Sequence, residues 1–242
     1  MDAKLLPGIM MFCLSVICVA CIVTGLVKVM GKTAFSKQLQ QRIAVTTATA
    51  IVLWMGLIGL LAANGFFANF TPFPRPALLI MVPLPFILLI AFSKRVAVIL
   101  MAVPPHWLVG MQAFRIVVEL LLLKAYLGGL LPKQMTFEGG NFDIISGILA
   151  IPFAIMVAKN KSRLLIKWYN VIGIVLLLNI LVIAVLSMPT PLRQFMNEPS
   201  NSIIGDFPFI YLPGVLVVIG YSLHIFSLRQ VFLLKNNSDY RV

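Results

Sequence analysis

Gln112, Arg115 and Glu119 are polar residues inside an otherwise apolar run, 107–123, that ends at Lys124. Arg115 and Glu119 are four apart, so in a helix they share one face a turn apart, and Gln112 extends that face. An isolated charge in the middle of a membrane span costs ~3 kcal/mol on insertion scales, and pairing lowers that cost. The spacing predicts that both side chains turn into the protein and lie within ion-pair reach of each other or of a shared polar neighbour, with Asn179 nearby. Two chemistries fit the pattern. One is a buried site for an anionic or proton-coupled ligand. The other is an internal salt bridge that fixes helix packing.

Further polar residues offer a second wall. Asn179 falls within a later apolar run at a depth like that of Glu119, whereas Asn170, nine residues earlier, points to the opposite helix face. Either asparagine also suits a helix–helix hydrogen bond, worth ~0.6 kcal/mol on average. The polar turn 132–143 brings Glu138 to the outer mouth, within reach of Lys124, Lys133 or an entering ligand. In the same turn Asn141 reads as the N-cap of the next helix, and Asp143 suits its first turn. The candidate ligand-binding set is therefore Gln112, Arg115, Glu119, Glu138 and Asn179. No catalytic residue, metal ligand or cofactor is assigned.

The remaining chemistry-bearing residues are sparse. His106 and His224 fall on the same side of separate helices, which permits a bis-histidine haem or metal pair but does not specify one. Cys13, Cys18 and Cys21 all lie in the first apolar segment, where Cys18 and Cys21, despite their CxxC spacing, read as small packing residues. No phosphate-binding, dinucleotide-binding, kinase or Gly-x-Ser-x-Gly motif occurs. The last apolar run has no lysine to hold retinal.

The elements that must position these residues are membrane helices. Of 242 residues, 61% are hydrophobic and only 11% charged, and the mean hydropathy is +1.04. A soluble domain of this length needs a more charged surface. The apolar runs are continuous rather than alternating, which favours helices over a barrel. The sequence predicts an all-α polytopic membrane bundle, one integral domain with seven transmembrane helices at about 5–29, 43–63, 76–92, 105–126, 142–158, 166–188 and 209–228. The first run is too long for the core of a signal peptide, and Asp2 balances Lys4, so it reads as a retained helix. Pro83 and Pro85 should kink the third span. Segment 96–103 is too short to cross and reads as an interfacial or re-entrant helix.

Charge sets the orientation. The net charge is +12, but the basic residues sit in short connections, which is a topology signal and argues against nucleic-acid binding. Lys28, Lys32, Lys37 and Arg42 follow the first span. Lys94 and Arg95 follow the third, Lys159, Lys161, Arg163 and Lys167 the fifth, and Arg229, Lys235 and Arg241 the last. Only Lys4, Arg75, Lys133 and Arg193 fall on the opposite side, where Asp2, Glu138, Asp143, Glu198 and Asp206 also lie. The bias puts the N-terminus outside and the C-terminus in the cytoplasm.

The Gln112-x-x-Arg115-x-x-x-Glu119 helix, the run from Met135 to Asp143, Trp168-Tyr169-Asn170 and the late segment from Leu223 to Gln230 resemble a group of uncharacterised bacterial seven-helix membrane proteins. The resemblance covers much of the chain from Pro104 onward. It implies a multi-pass protein of the bacterial inner membrane and transfers no functional residue.

Three functions fit these readings. The first is a small-molecule or ion carrier, or a ligand-binding membrane protein, with its polar site between spans four and six. The second is a sensor or assembly protein whose charges only fix packing. The third is an intramembrane enzyme acting on a lipid or quinone, with Glu119 or Glu138 as acid/base. The shortage of clustered carboxylates and histidines weighs against a membrane hydrolase with a zinc triad. The expected partners are the lipid bilayer and a small-molecule or ion ligand.

Overall fold

A computed structural model describes residues 6–236. Asp2, Lys4, Leu5 and Arg241, on which the sequence analysis draws, lie outside them. The described residues are all-α, with no strand. In chain order the helices are α1 (Leu6–Met30), α2 (Lys37–Ala63), α3 (Leu78–Met81), α4 (Pro83–Ala91), α5 (Lys94–Ala102), α6 (Pro105–Gly110), α7 (Phe114–Leu127), α8 (Asp143–Asn160), α9 (Arg163–Ser187) and α10 (Val217–Leu233). Among the described residues five helices are long and apolar enough to cross a membrane, or six if one bent pair counts as a single span.

The bent pair is where the sequence puts its third span and the short helix after it. Arg75–Ala91 and Lys94–Ala102 meet at 80°. Ser93 makes the corner by accepting the Val96 N–H on its hydroxyl. Within the third span the helix is interrupted at Val82, just before Pro83. Pro83 and Pro85 bring no N–H, so the carbonyls of Leu79 and Met81 lose their helical donors. The predicted fourth span is also interrupted. Pro105–Gly110 passes through a 3₁₀ turn, Met111–Ala113, into α7.

Several helices begin earlier than hydropathy suggests. α2 starts at Lys37 behind a Ser36 cap, and α9 at Arg163 behind a Ser162 cap. A serine hydroxyl satisfies a free N–H of the first turn, so polar residues there continue the helix beyond its apolar part. The last span begins as a π-helical turn, Leu212–Leu216, and runs into α10. Trp54 of α2 donates Nε1–H to the Gly214 carbonyl of that turn at 2.8 Å.

Connections gather at two ends. At one end Gln230 donates to the carbonyls of Leu100 and Val103, both at 2.6 Å, and Arg163 donates to the Lys235 carbonyl at 2.9 Å. The Lys32 ammonium lies over the Trp107 ring and the Arg229 guanidinium over Phe92. At the other end Asn197 donates to Gln134 at 2.9 Å. The short helical turn Phe66–Ala68 there packs on Ile203–Gly205. Apolar side chains face outward between the ends, including Leu53 and Leu60 of α2, Phe86 and Leu89 of α4, and Val175 and Val182 of α9.

Candidate functional site

α7 and α8 bring the charged residues together. On α7 the buried stripe is Arg115, Val118, Glu119 and Leu122, the i, i+3, i+4, i+7 pattern of one helix face. On α8 the stripe is Asp143, Ser146, Gly147 and Ala150. Gly147 fixes the distance between the two helices. A Cβ added there would lie 2.8 Å from the Ile116 nitrogen and 3.2 Å from the Arg115 Cβ. Only a residue without a side chain allows α8 to approach the α7 backbone this closely.

That approach sets Asp143 and Ser146 against Arg115. Arg115 Nη1 donates to Ser146 Oγ at 2.6 Å and lies 3.3 Å from Asp143 Oδ1. The same nitrogen donates to the Gly173 carbonyl of α9 at 3.3 Å. Glu119 accepts instead from Asn141 Nδ2, at 2.6 Å on Oε2. Gln112, Arg115 and Glu119 are each 1–2% exposed, and Asn141 is fully buried.

The ion pair is therefore Arg115–Asp143, and of the two arrangements the spacing allows, the direct Arg115–Glu119 pair does not form. The i, i+4 spacing does put both side chains on one face, but partners from the turn claim each of them separately. The Thr136 carbonyl accepts the N–H groups of Gly139, Gly140 and Asn141, which coils the turn tightly. Asn141 then donates to the Met135 carbonyl as well as to Glu119, and its Oδ1 accepts the Asp143 N–H at 3.0 Å. The N-cap position of α8 is Phe142. Asn141, one residue earlier, nevertheless satisfies the first N–H of the helix and links Glu119 to Asp143.

Two members of the predicted set stand apart. Glu138 is exposed at the tip of the turn, where the coil directs Asn141 inward and leaves Glu138 outside. Asn179 is half-buried and touches the start of α8, its Oδ1 3.5 Å from the Phe142 nitrogen. Of the two asparagines in α9 it is Asn170 that is buried, at 1%.

Asn170 belongs to a second polar group that the spacing did not reveal. His224 Nδ1 lies 2.8 Å from Asn170 Oδ1. Asn170 Nδ2 donates to Ser227 Oγ at 2.8 Å and to the Ile166 carbonyl at 2.7 Å. Its oxygen is thus the acceptor, and His224 carries its proton on Nδ1. The imidazole packs on Gly173, where a Cβ would meet His224 Nε2 at 2.7 Å. Gly173 therefore joins the groups: its carbonyl takes Arg115 and its α-carbon faces His224. Tyr169 donates its hydroxyl to the Ser146 carbonyl at 3.2 Å, and Gln112 donates to the Gly220 carbonyl at 3.0 Å. Two signals could have suggested these residues: Asn170, Ser227 and His224 are polar residues in apolar runs, and Ser146 follows Asp143 at i+3. His106 is half-buried on α6. Among the described residues no three of His, Cys, Asp and Glu are grouped to hold a metal ion.

Arg115, Glu119 and Asp143 line a cavity of about 250 Å³. Apart from this charged side its wall is apolar, with Ile80 of α3, Leu122 of α7, Ile180 and Leu181 of α9, and Leu216 before α10. Its rim includes exposed Met81 and half-buried Val185.

Fold and site together define an all-α protein with a charged cluster sealed inside an apolar helix assembly. The chain belongs to the family described as Domain of unknown function (DUF8737), which matches residues 72–232 and so includes every member of both polar groups. No curated protein and no solved structure matches it.

Proposed function

We propose that this is a multi-pass protein of the bacterial inner membrane that binds, and as a carrier moves, a small molecule at the cavity beside Arg115, Glu119 and Asp143. The cavity carries the reading: an apolar-walled space with ionisable groups on one side is what a molecule with an apolar body and a polar head requires. Charged residues inside spans are rare and face functional cavities or one another. Seven spans follow if the bent pair and the interrupted run from Pro105 to Leu127 each cross once, in addition to the five continuous helices. The gathering of connections after spans one, three and five at one end supports that count. The basic bias supports a cytoplasmic position for that end and for the C-terminus.

Native mass spectrometry of the protein extracted in mild detergent tests the binding reading. We expect a small-molecule adduct that Ile180→Trp removes by filling the cavity. No adduct, or one that survives Ile180→Trp, would overturn it. A second reading, a sensor or assembly protein, draws on the internal pairing of Arg115 with Asp143. It expects the cavity-filling variant to keep full function.

A further inference from the structure

The charges around the cavity do not balance. Its wall carries two carboxylates, Glu119 and Asp143, and one guanidinium, Arg115. Asp143 has the guanidinium at 3.3 Å. Glu119 has the neutral amide of Asn141, on Oε2 alone. The charged groups that act on Glu119 are Asp143, from α8, and Arg115, from its own helix. Among the described residues the other elements nearby bring no cation. α1 contributes the thiol of Cys18 to the same core, and α10 contributes His224, which is held by Asn170. Lys124 and Lys133 are exposed.

A carboxylate in apolar surroundings is neutralised by a proton or by a cation. An anionic head would double the surplus negative charge, so the balance selects a positive one. A second observation points to a ligand. Arg115 Nη2 is buried without a partner. It lies beside Gly220, a wall residue with no side chain, where an added Cβ would be 3.4 Å away. That spare donor suits an oxygen close to the cationic centre of a ligand. At about 250 Å³ the cavity exceeds the roughly 150 Å³ that holds benzene in an apolar core, so it has room for a body larger than one ring.

We propose that the cavity takes an apolar-bodied monoammonium ion whose N–H groups bond to Glu119, and that this ion and a proton occupy Glu119 in turn. Binding of the ammonium then releases one proton to water, and protonation expels the ammonium. This deepens the binding reading above and rests on it.

The test uses the full-length protein in detergent and three probes of one chain length: octylammonium, octanoate and octanol. Calorimetry in buffers of different ionisation enthalpy gives affinity and proton count, with Ile180→Trp as the reference for partition into micelles. Octylammonium should bind at least tenfold more tightly than octanoate and release about one proton. Its affinity should fall by up to tenfold per pH unit on the acid side, where Glu119 holds its proton. Glu119→Gln can still accept from Asn141. It should lose the proton release and the pH dependence, and bind octylammonium no better than octanol. Octanoate binding more tightly, or octylammonium binding without proton release, would overturn the proposal, as would unchanged behaviour in Glu119→Gln. If octanol or octanoate binds and octylammonium does not, the cation fails while the cavity stands as a binding site. If none exceeds the Ile180→Trp reference, both fail. Should Glu119→Gln not fold, the probe ranking and the proton count on the unaltered protein still decide.

Discussion

Arg115 makes its three contacts through one nitrogen, so its stability and its chemistry depend on few atoms. Its side chain and that of Asp143 are 3% and 7% exposed, too little for water to replace a lost partner. Asp143→Leu should destabilise the protein by about 3–5 kcal/mol, because it leaves a buried guanidinium uncompensated. Arg115→Met should cost at least as much, since it leaves two carboxylates on the cavity wall. The double variant should unfold at a higher temperature than either single variant. Thermal unfolding in detergent reads all three, and strictly additive losses would show that the two residues do not act as a pair. The burial of Arg115 and Glu119 is legible in the sequence, because a charge in an apolar run has one favourable place to go. Their partners are not legible. Asn141 and Asp143 reach them only because a carbonyl of the turn, on Thr136, gathers three N–H groups. Spacing along one helix fixes which residues share a face and says nothing of what the opposite helix presents.

At the scale of elements, apolar runs locate the helices well and their ends poorly. α2 and α9 extend past their apolar parts because Ser36 and Ser162 cap them, and hydropathy does not register a cap. The prolines at 83 and 85 do mark a break in the third span, and the short helix after it lies where its length predicts. The 3₁₀ turn at Met111–Ala113 and the π turn at Leu212–Leu216 have no comparable signature, since both depend on packing. Within the π turn the Gly214 carbonyl accepts the Trp54 Nε1–H. Trp54→Phe keeps most of the packing and removes this bond. It should cost about 1 kcal/mol, and hydrogen exchange should quicken first in 212–216. Faster exchange spread evenly over α2 instead would show that Trp54 acts through packing alone.

For the whole molecule, side-chain bonds gather segments at each of two ends. Gln230 of α10 meets Leu100 of α5 and Val103 just after it, and Gln134 meets Asn197; the charge pattern assigns the segments of each group to a single side. Reporter fusions after Val242 should therefore be active in the cytoplasm, and fusions in the loop at Asn197 should be active on the opposite side. The same side for both would remove the seven-span topology. Outward apolar side chains on α2, α4 and α9 are a separate sign, because a water-soluble assembly would bury them.

The contact between Gly173 and His224 also bears on how relatives of this chain vary. A methyl group at position 173 would overlap the imidazole, and the same backbone unit supplies the carbonyl that Arg115 holds. Position 173 can thus gain a side chain only if position 224 becomes smaller. A relative with alanine or serine at 173 should carry a smaller residue than histidine at 224, and one that keeps the histidine should keep the glycine. Paired substitution at these two sites, 51 residues apart in the chain, would be the trace of this contact across the family.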